Sequence, residues 1–433
     1  MQKESARIYG LDLARALAII GMIAAHSGIT HPVIRGVASG FPSALFAVLA
    51  GVSVGIISAR GRILGGVPQL QMRLSLLTRG LLIAGIGFLL EAFPSYIVVV
   101  LGSIAAEIII LTLVINWRTR NLALLLIGLV FIGPAIAALA VLLGIYSGWL
   151  VGVYPLFAWL AYGLSGMIVH RIFIEQGSRK KWLLLGGITV VPTIFAFWYR
   201  IKGIHAQYGD ESATYVADKS AAFSDGLLPE YEENFSFWRD YFSPMAHSGG
   251  LGDVVLSIAV ALAVISLCVV ICEPNLLRKV MYPLRAMGQM SLTSYTLHVI
   301  ASGILVILVS FTNNDGSSLG ATEMAPQAEE TQYGRPWQEY QDLVNQAENW
   351  SDFYDLKYPP SPKLDTDYDT IDNGETFAWI EFAVQIVGIS IFAMLWQLLP
   401  RFHRRGPWES FIRWATRKFS QVPPGKEPEN YSI

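Results

Sequence analysis

The stretch Tyr9-Gly-Leu-Asp-Leu-Ala-Arg-Ala-Leu-Ala-Ile-Ile-Gly-Met-Ile-Ala-Ala-His26 decides the fold class, because it is apolar enough to cross a membrane and yet carries three ionisable side chains. On a helix, Asp12 and Arg15 are neighbours on one face, and His26 lies on that face about 16 Å beyond Arg15. Ionisable groups in a membrane segment are costly and usually face a bundle interior or a wet cavity. The pattern predicts such a polar stripe. The alternative is an Asp12–Arg15 pair that only orients the helix end, with an interfacial histidine.

The composition of the whole chain is typical of a membrane protein. Of its 433 residues, 53% are hydrophobic and only 15% are charged, whereas about 25% of residues are charged in soluble domains. We expect an all-α polytopic membrane protein with about ten transmembrane helices. The segments close to the roughly 20-residue length that a bilayer requires are 9–27, 40–58, 74–93, 96–115, 121–144, 149–170, 181–199, 251–272, 288–311 and 376–399.

The distribution of Lys and Arg predicts how these spans are oriented. Basic residues precede the first span and follow the second, fourth, sixth, eighth and tenth, whereas the alternate connections are nearly uncharged or acidic. Cytoplasmic loops carry the excess of Lys and Arg. We therefore expect a multi-pass protein of the plasma (inner) membrane with both termini in the cytoplasm, large loops outside, and His26 at the outer end of its helix.

Two long connections interrupt this pattern, and we expect them to form a small extracytoplasmic cap. The second is acidic and also rich in aromatic rings, among them Trp337 and Tyr340, whereas disordered acidic segments are poor in aromatics. Rings beside carboxylates suit a polyhydroxylated ligand, although the rings could instead form the core of a solvated cap. The expected divisions are a bundle half at 1–199, cap loop one at 200–250, two spans at 251–311, cap loop two at 312–375, and the last span with its tail at 376–433.

Polar residues also occur inside later spans. Glu107 lies near the middle of the fourth span and requires a partner or a proton, which suits either a site residue or an interhelical hydrogen bond. In the ninth span, Ser291, Tyr295 and His298 share one helical face. These groups could contact a ligand or simply bond other helices.

No metal centre is predicted. The histidines expected on the outer side, His31, His205 and His247, lack the tight spacing of a zinc site. Asp365-x-Asp367-x-Asp369 suggests calcium, but the glycine and the terminal glutamate of an EF-hand loop are absent.

Several motifs resemble those of membrane acyltransferases. Arg7-x4-Asp12-x2-Arg15-Ala16 resembles the opening motif of the heparan-alpha-glucosaminide N-acetyltransferase family, although Gly is usual there at the last position. Arg15-x10-His26 resembles the arginine–histidine motif of the acyltransferase-three family. Leu45-Phe-Ala-Val-Leu-Ala-Gly51 is similar to the second helix of both groups. Gly288-x-Met290-Ser-Leu-Thr293-x-Tyr295 and Gly406-Pro-Trp-Glu409-x3-Arg413 resemble their late motifs.

The resemblance implies acetyl-CoA as the acyl donor on the cytoplasmic side and a hydroxyl of an extracytoplasmic glycolipid or sugar as the acceptor. With its ten expected spans and large outer loops, this chain most resembles the membrane enzymes that acetylate trehalose monomycolate during mycolic acid and cell-envelope biogenesis. The partners expected on this basis are membrane lipid, a glycolipid acceptor and an envelope lipid transporter, with no nucleic acid.

Under this hypothesis the candidate residues take definite roles. His26 is the general base, because imidazole titrates near working pH. Arg15, held by Asp12, binds the phosphates or the pantetheine end of the coenzyme, since its fork of donors suits phosphate. His298 and Tyr295 are candidates for contact with the oxyanion or the acceptor. Further candidates are Arg73, Arg79 and Ser291 for the cofactor, and Glu107, His31, Trp337 and Tyr340 for the acceptor.

Three questions stay open at this point. Acetyl transfer could be direct or could pass through an acetyl-histidine. The same spans and intramembrane charges would suit an envelope lipid transporter or flippase, although no internal repeat of the kind many transporters have is evident. A membrane protein that binds glycolipids without chemistry is the third class.

Overall fold

The structure is a computed structural model that describes residues 8–95, 97–143, 145, 147–175, 178–208, 237–313, 368–399 and 405–421. All regular secondary structure in these ranges is helical. The chain forms two compact units, Met1–Val306 with Glu381–Ile433, and Ile307–Ile380. Most of both expected cap loops, including Trp337, Tyr340 and the aspartates of the candidate calcium motif, lies outside the described residues.

The described helices are numbered in chain order. They are α1 (Tyr9–His26), α2 (Pro32–Ala38), α3 (Phe41–Leu64), α4 (Gly66–Glu91), α5 (Leu101–Val114), α6 (Thr119–Leu142), α7 (Leu156–Val169), α8 (Arg179–Tyr208), α9 (Phe237–Phe242), α10 (Leu251–Ile271), α11 (Asn275–Val280), α12 (Tyr282–Gln289), α13 (Ser291–Asn313), α14 (Tyr368–Trp396) and α15 (Pro407–Phe419). A π-helical turn, His170–Ile174, continues α7. Of the second unit, only the end of α13 and the first part of α14 are described.

Nine helices in the described ranges are long and apolar enough to cross a membrane, so the prediction of an all-α polytopic membrane protein is confirmed. The segment expected at 96–115 differs, because its helix α5 has only 14 residues and rises about 21 Å. Residues 97–99 are not helical. Beyond α5, Arg171 donates hydrogen bonds to the carbonyls of Ile115 and Trp117 at 2.6 and 2.5 Å. The orientation of the bundle stays a prediction.

Helix α1 lies in the interior of the first unit, where it packs against α2, α3, α10 and α12. Its backbone approaches that of α12 very closely. A Cβ atom at Gly288 would lie 1.7 Å from the carbonyl oxygen of Asp12, so a residue with any side chain would push the two helices apart. Small residues allow such close approach between membrane helices. The late Gly288 motif therefore contacts the turn that carries Asp12.

Candidate functional site

The centre of the candidate site is a pair of histidines from the first helix and a late one. Nδ1 of His26, the last residue of α1, lies 3.1 Å from Nε2 of His298. The two rings stack with their centroids 5.4 Å apart. His298 is fully buried, whereas His26 is partly buried. Two candidates separated by 272 residues are thus brought into direct contact.

A line of hydrogen bonds continues from this pair into α14. Nδ1 of His298 lies 2.7 Å from Oε1 of Gln385. The side-chain nitrogen of Gln385 donates to Oε1 of Glu381 at 2.9 Å and to the hydroxyl of Ser302 at 3.3 Å. Gln385 and Ser302 are buried. The line therefore links His26 to a carboxyl group through two intermediate side chains.

This line of hydrogen bonds determines which nitrogen carries the hydrogen atom in each of the two neutral imidazole rings. The amide nitrogen of Gln385 donates to Glu381 and to Ser302, so the amide oxygen is the atom that faces His298. His298 then donates from Nδ1 and accepts at Nε2, and His26 must donate from Nδ1. Nε2 of His26 is thereby the ring nitrogen that carries the lone pair, as a general base requires.

Arginines gather toward the other end of α1. Nη1 of Arg15 lies 3.3 Å from Oδ1 of Asp12, and its Nη2 donates to the hydroxyl of Ser53 at 3.0 Å. Arg79 of α4 interacts electrostatically with Arg15 and with Arg405, which precedes α15. Three guanidinium groups in one region form a candidate anion site, because arginine binds phosphate through a fork of donors.

The structure places the remaining candidates for catalysis and cofactor binding in helices α4 and α13. Tyr295 is fully buried, and its hydroxyl accepts a hydrogen bond from the backbone N–H of Val100 at 3.2 Å, which suits a positioning role. Arg73 lies in α4, and its Nε is buried without a hydrogen-bond partner in the described part of the chain. Ser291 is the first residue of α13.

The described acceptor candidates do not cluster. His31 is exposed in the connection between α1 and α2. Glu107 is fully buried in α5, and neither carboxyl oxygen has a hydrogen-bond partner within the described ranges. A Cβ atom at Gly163 of α7 would lie 2.3 Å from Oε1 of Glu107. The carboxyl group is therefore packed against the backbone of α7. An interhelical hydrogen bond, one of the two alternatives that the sequence left open for Glu107, is not among the contacts described.

A polar cluster that the sequence did not reveal lies at the start of α10. The guanidinium group of Arg200 donates to the carboxylate of Asp253, to the carbonyl of Ser39 and, at 3.2 Å, to the carbonyl of Pro244. It also stacks 3.7 Å from the centroid of the Phe41 ring. Both charged side chains are buried. This ion pair ties α8 and α10 to the connection that leads into α3.

A small cavity lies beside this cluster. It has a volume of about 10 Å³ and is lined by Ser43, Tyr162, His247 and Asp253, among others; this is room for about one water molecule. His247 interacts electrostatically with His26. Burial lowers the pKa of His247. The cavity thus extends the polar surroundings of His26 toward α7 and α10.

Comparison with known proteins supports a family only for part of the chain. Residues 227–325 are similar to the family DUF418, described as a protein of unknown function. No curated protein and no solved structure matches the chain. The described part of the similar region, 237–313, contains α9 to α13 and therefore His247, Asp253 and His298. The opening motif of α1 lies outside it.

Sequence reasoning missed Gln385 and Glu381, although a signal existed. The two residues are four apart within the last apolar span, so they are neighbours on one helix face, and intramembrane polar residues mark candidate sites. Among the residues that the structure describes, no group of three or more His, Cys, Asp or Glu side chains is placed so that it could hold a metal ion.

Proposed function

We propose that this protein is a membrane-bound O-acetyltransferase that moves the acetyl group of acetyl-CoA to a hydroxyl group of a glycolipid or sugar. The observation that carries the proposal is the line from Glu381 through Gln385 and His298 to His26. It holds His26 in the tautomer with a basic Nε2. A base that accepts a hydroxyl proton is the first requirement for acyl transfer to an alcohol.

The proposed chemistry uses the imidazole of His26 twice. Its Nε2 takes the proton of the acceptor hydroxyl while the oxygen attacks the thioester carbonyl carbon. The tetrahedral intermediate then collapses, its C–S bond breaks, and the thiolate takes the proton back from the imidazolium. The products are an acetyl ester and free coenzyme A. His298 accepts from Nδ1–H of His26 throughout, so it holds the ring in place and stabilises its charged form.

The arginines support the choice of donor. Arg15 lies eleven residues before His26 on the same helix, which is about 16 Å along the axis. The pantetheine arm of coenzyme A is also about 16 Å long when extended, at ordinary bond lengths of about 1.3–1.5 Å. A pyrophosphate held by Arg15, Arg79 and Arg405 would therefore place the thioester at His26. Asp12 and Ser53 fix the position of Arg15 for this task.

The proposed acceptor follows from the position of His26. In the orientation expected from the basic residues, His26 faces the extracytoplasmic side, where a glycolipid such as trehalose monomycolate would arrive. His247, which interacts electrostatically with His26, lines a small polar cavity that offers room for one hydroxyl group. An acceptor with a sugar headgroup in a membrane lipid meets both requirements.

The test is a lipid assay by mass spectrometry. The purified full chain in lipid nanodiscs is mixed with isotopically labelled acetyl-CoA and an envelope glycolipid extract, beside His26→Gln and the control His170→Gln. His170 packs against Gly55 and lies 3.5 Å from Glu175, so it belongs to a separate cluster. We expect a labelled lipid from the wild type and the control, and a loss of at least about 100-fold in His26→Gln. Equal transfer by His26→Gln, or neither transfer nor acetyl-CoA binding by the wild type, would contradict the proposal.

One observation favours a second candidate, a proton-coupled transporter of envelope lipids. Glu107 is fully buried, and neither of its carboxyl oxygens has a hydrogen-bond partner in the described part of the chain. Intramembrane carboxyl groups often carry protons in transporters. In proteoliposomes that contain a pH indicator, a transporter would show lipid-dependent proton flux that Glu107→Gln abolishes. The acetyltransferase proposal expects no such flux from the wild type.

A further inference from the structure

A groove between α3 and α4 has no role in the arrangement described so far. It lies where the last turns of α3 meet the first turns of α4, and its volume is about 310 Å³. It is lined by four apolar side chains, those of Ile57, Leu64, Pro68 and Met72, and by two polar side chains, those of Arg60 and Gln71. Small-molecule sites usually have a volume of about 300 Å³ or more and combine apolar side chains with a few polar groups.

The groove continues the line defined by His26 and Arg15. Ser53, which accepts a hydrogen bond from Arg15, is followed on α3 by Ile57, Arg60 and Leu64 at spacings of four, seven and eleven residues. These spacings keep all four residues on one helix face and place Arg60 about 10 Å beyond Ser53.

The direction of this line follows from the packing of α1 on α3. A Cβ atom at Gly21 would lie 2.4 Å from the ring of Pro42, whereas Arg15 contacts Ser53. The two helices are therefore antiparallel, and the groove lies beyond Arg15 on the side away from His26.

We propose that this groove binds the adenosine end of coenzyme A. The inference rests on the proposed acetyltransferase function and extends it, because that function leaves the nucleotide without a site. With the thioester at His26 and the pyrophosphate at Arg15, the adenosine must continue for about another 10 Å away from His26, and the groove lies at that place.

The side chains of the groove match the chemistry of an adenosine phosphate. The aliphatic walls can cover the two faces of an adenine ring. The amide of Gln71 offers one acceptor and two donors, the combination that pairs with the N6 and N7 edge of adenine. Arg60 is exposed and can donate to the 3′-phosphate through two parallel hydrogen bonds.

Binding measurements on the full chain in nanodiscs test the assignment. The probes are coenzyme A, adenosine 3′,5′-bisphosphate, ADP and acetyl-pantetheine. We expect Arg60→Gln to weaken binding of coenzyme A and of adenosine 3′,5′-bisphosphate by about tenfold or more, because each loses a charge-assisted hydrogen bond. ADP should bind more weakly than the bisphosphate, and Gln71→Leu should weaken all three nucleotides. Arg120→Gln, at an exposed arginine near the start of α6, is the matched control.

Photoaffinity labelling of the wild-type protein supplies a second readout. It does not require any variant to fold. An 8-azidoadenine analogue of coenzyme A should label the peptide 57–72, and excess coenzyme A should suppress the label. Labelling elsewhere, or unchanged coenzyme A affinity in both Arg60→Gln and Gln71→Leu, would overturn the assignment. A wild type that binds no nucleotide overturns it together with the acetyltransferase. Labelling at 57–72 without acetyl transfer to any lipid would retain the groove as a nucleotide site and reject only the proposed reaction.

Discussion

The carboxylate of Glu409 accepts hydrogen bonds from both the backbone N–H and the hydroxyl of Thr293, so α15 caps α13, the helix that carries His298. Oε1 lies 2.8 Å from the backbone nitrogen of Leu292 and 3.2 Å from that of Thr293, and Oε2 lies 2.6 Å from the Thr293 hydroxyl. The first N–H groups of a helix lack partners in their own helix and favour a negative charge nearby. The two late motifs of the sequence therefore form one structural unit.

Replacement of this cap should destabilise the protein. We expect Glu409→Ala to lower the free energy of unfolding by about 1–2 kcal/mol, the range for lost helix caps, because it leaves the first N–H groups of α13 without an acceptor. Glu409→Gln should cost less, since an amide oxygen still accepts. The measurement is the thermal unfolding midpoint in detergent. Glu91→Ala, at an exposed glutamate of α4, is the control, and an equal shift in both alanine variants would contradict the capping role.

The line of hydrogen bonds from Glu381 and Gln385 of α14 to His298 and His26 predicts a positioning role for Gln385. Gln385→Leu removes the acceptor that orients His298, so the tautomer of His26 is no longer imposed. If the protein is an acetyltransferase, we expect kcat to fall by about tenfold or more, part of the roughly 10²–10⁴-fold that a general base contributes, with KM for acetyl-CoA nearly unchanged. Steady-state kinetics measure both constants.

A matched pair of leucine variants controls this experiment. Glu381→Leu should resemble Gln385→Leu, because it removes the carboxyl group that orients the amide. Glu375→Leu changes a carboxyl group in the same helix. A fall in kcat of the same size for Glu375→Leu, or no fall for Gln385→Leu, would contradict the positioning role of Gln385.

The buried ion pair between Arg200 and Asp253 predicts a strong dependence of stability on both charges. Removal of one partner from a buried pair leaves an uncompensated charge and typically costs about 3–5 kcal/mol. Arg200→Met and Asp253→Leu should each lower the unfolding midpoint sharply, and the double variant should lose less than the sum. Unfolding of the four proteins under one condition measures the coupling. Lys202 is exposed and lies two residues after Arg200, so Lys202→Met should have little effect on the unfolding midpoint.

His247 predicts how stability depends on pH. Burial lowers its pKa from the ordinary value of 6.5; Arg200 lowers it further, and Asp253 opposes the shift. The unfolded chain therefore binds a proton that the folded chain does not as the pH falls below about 6.5, so this group makes stability decrease with falling pH. His247→Asn should flatten that decrease, and Asn tolerates the positive φ of 59° at this position. Unfolding midpoints between about pH 5 and pH 8 measure the slope, with His31→Asn as an exposed control.

Local spacing was enough to predict some of these relationships but not others. Asp12 and Arg15 are three residues apart, so helical geometry alone makes them neighbours, and the structure places them 3.3 Å apart. The contact of His26 with His298 depends on how helices distant in the chain pack, and periodicity within one helix carries no information about that. The same limit applies to Arg200 and Asp253, which meet across 53 residues.

Hydropathy predicted the membrane class and most spans for a similar reason. A run of about 20 apolar residues is a local property, and nine helices in the described ranges have it. Helix α5 was expected to be longer, because residues 97–99 are apolar and hydropathy does not distinguish apolar helix from apolar extended chain. The groove at Arg60 and Gln71 was also missed, since it depends on the angle between α3 and α4.

The hydrogen bond between His26 and His298 also bears on biosynthesis. A ribosome releases the His26 segment early, whereas His298 follows 272 residues later and Gln385 another 87 residues after that. Contacts so distant in the chain form late, after the intervening segments have folded. Nascent chains that have not yet reached Gln385 would therefore hold His26 without its orienting partners, and the candidate site would be complete only after Gln385 has been synthesised.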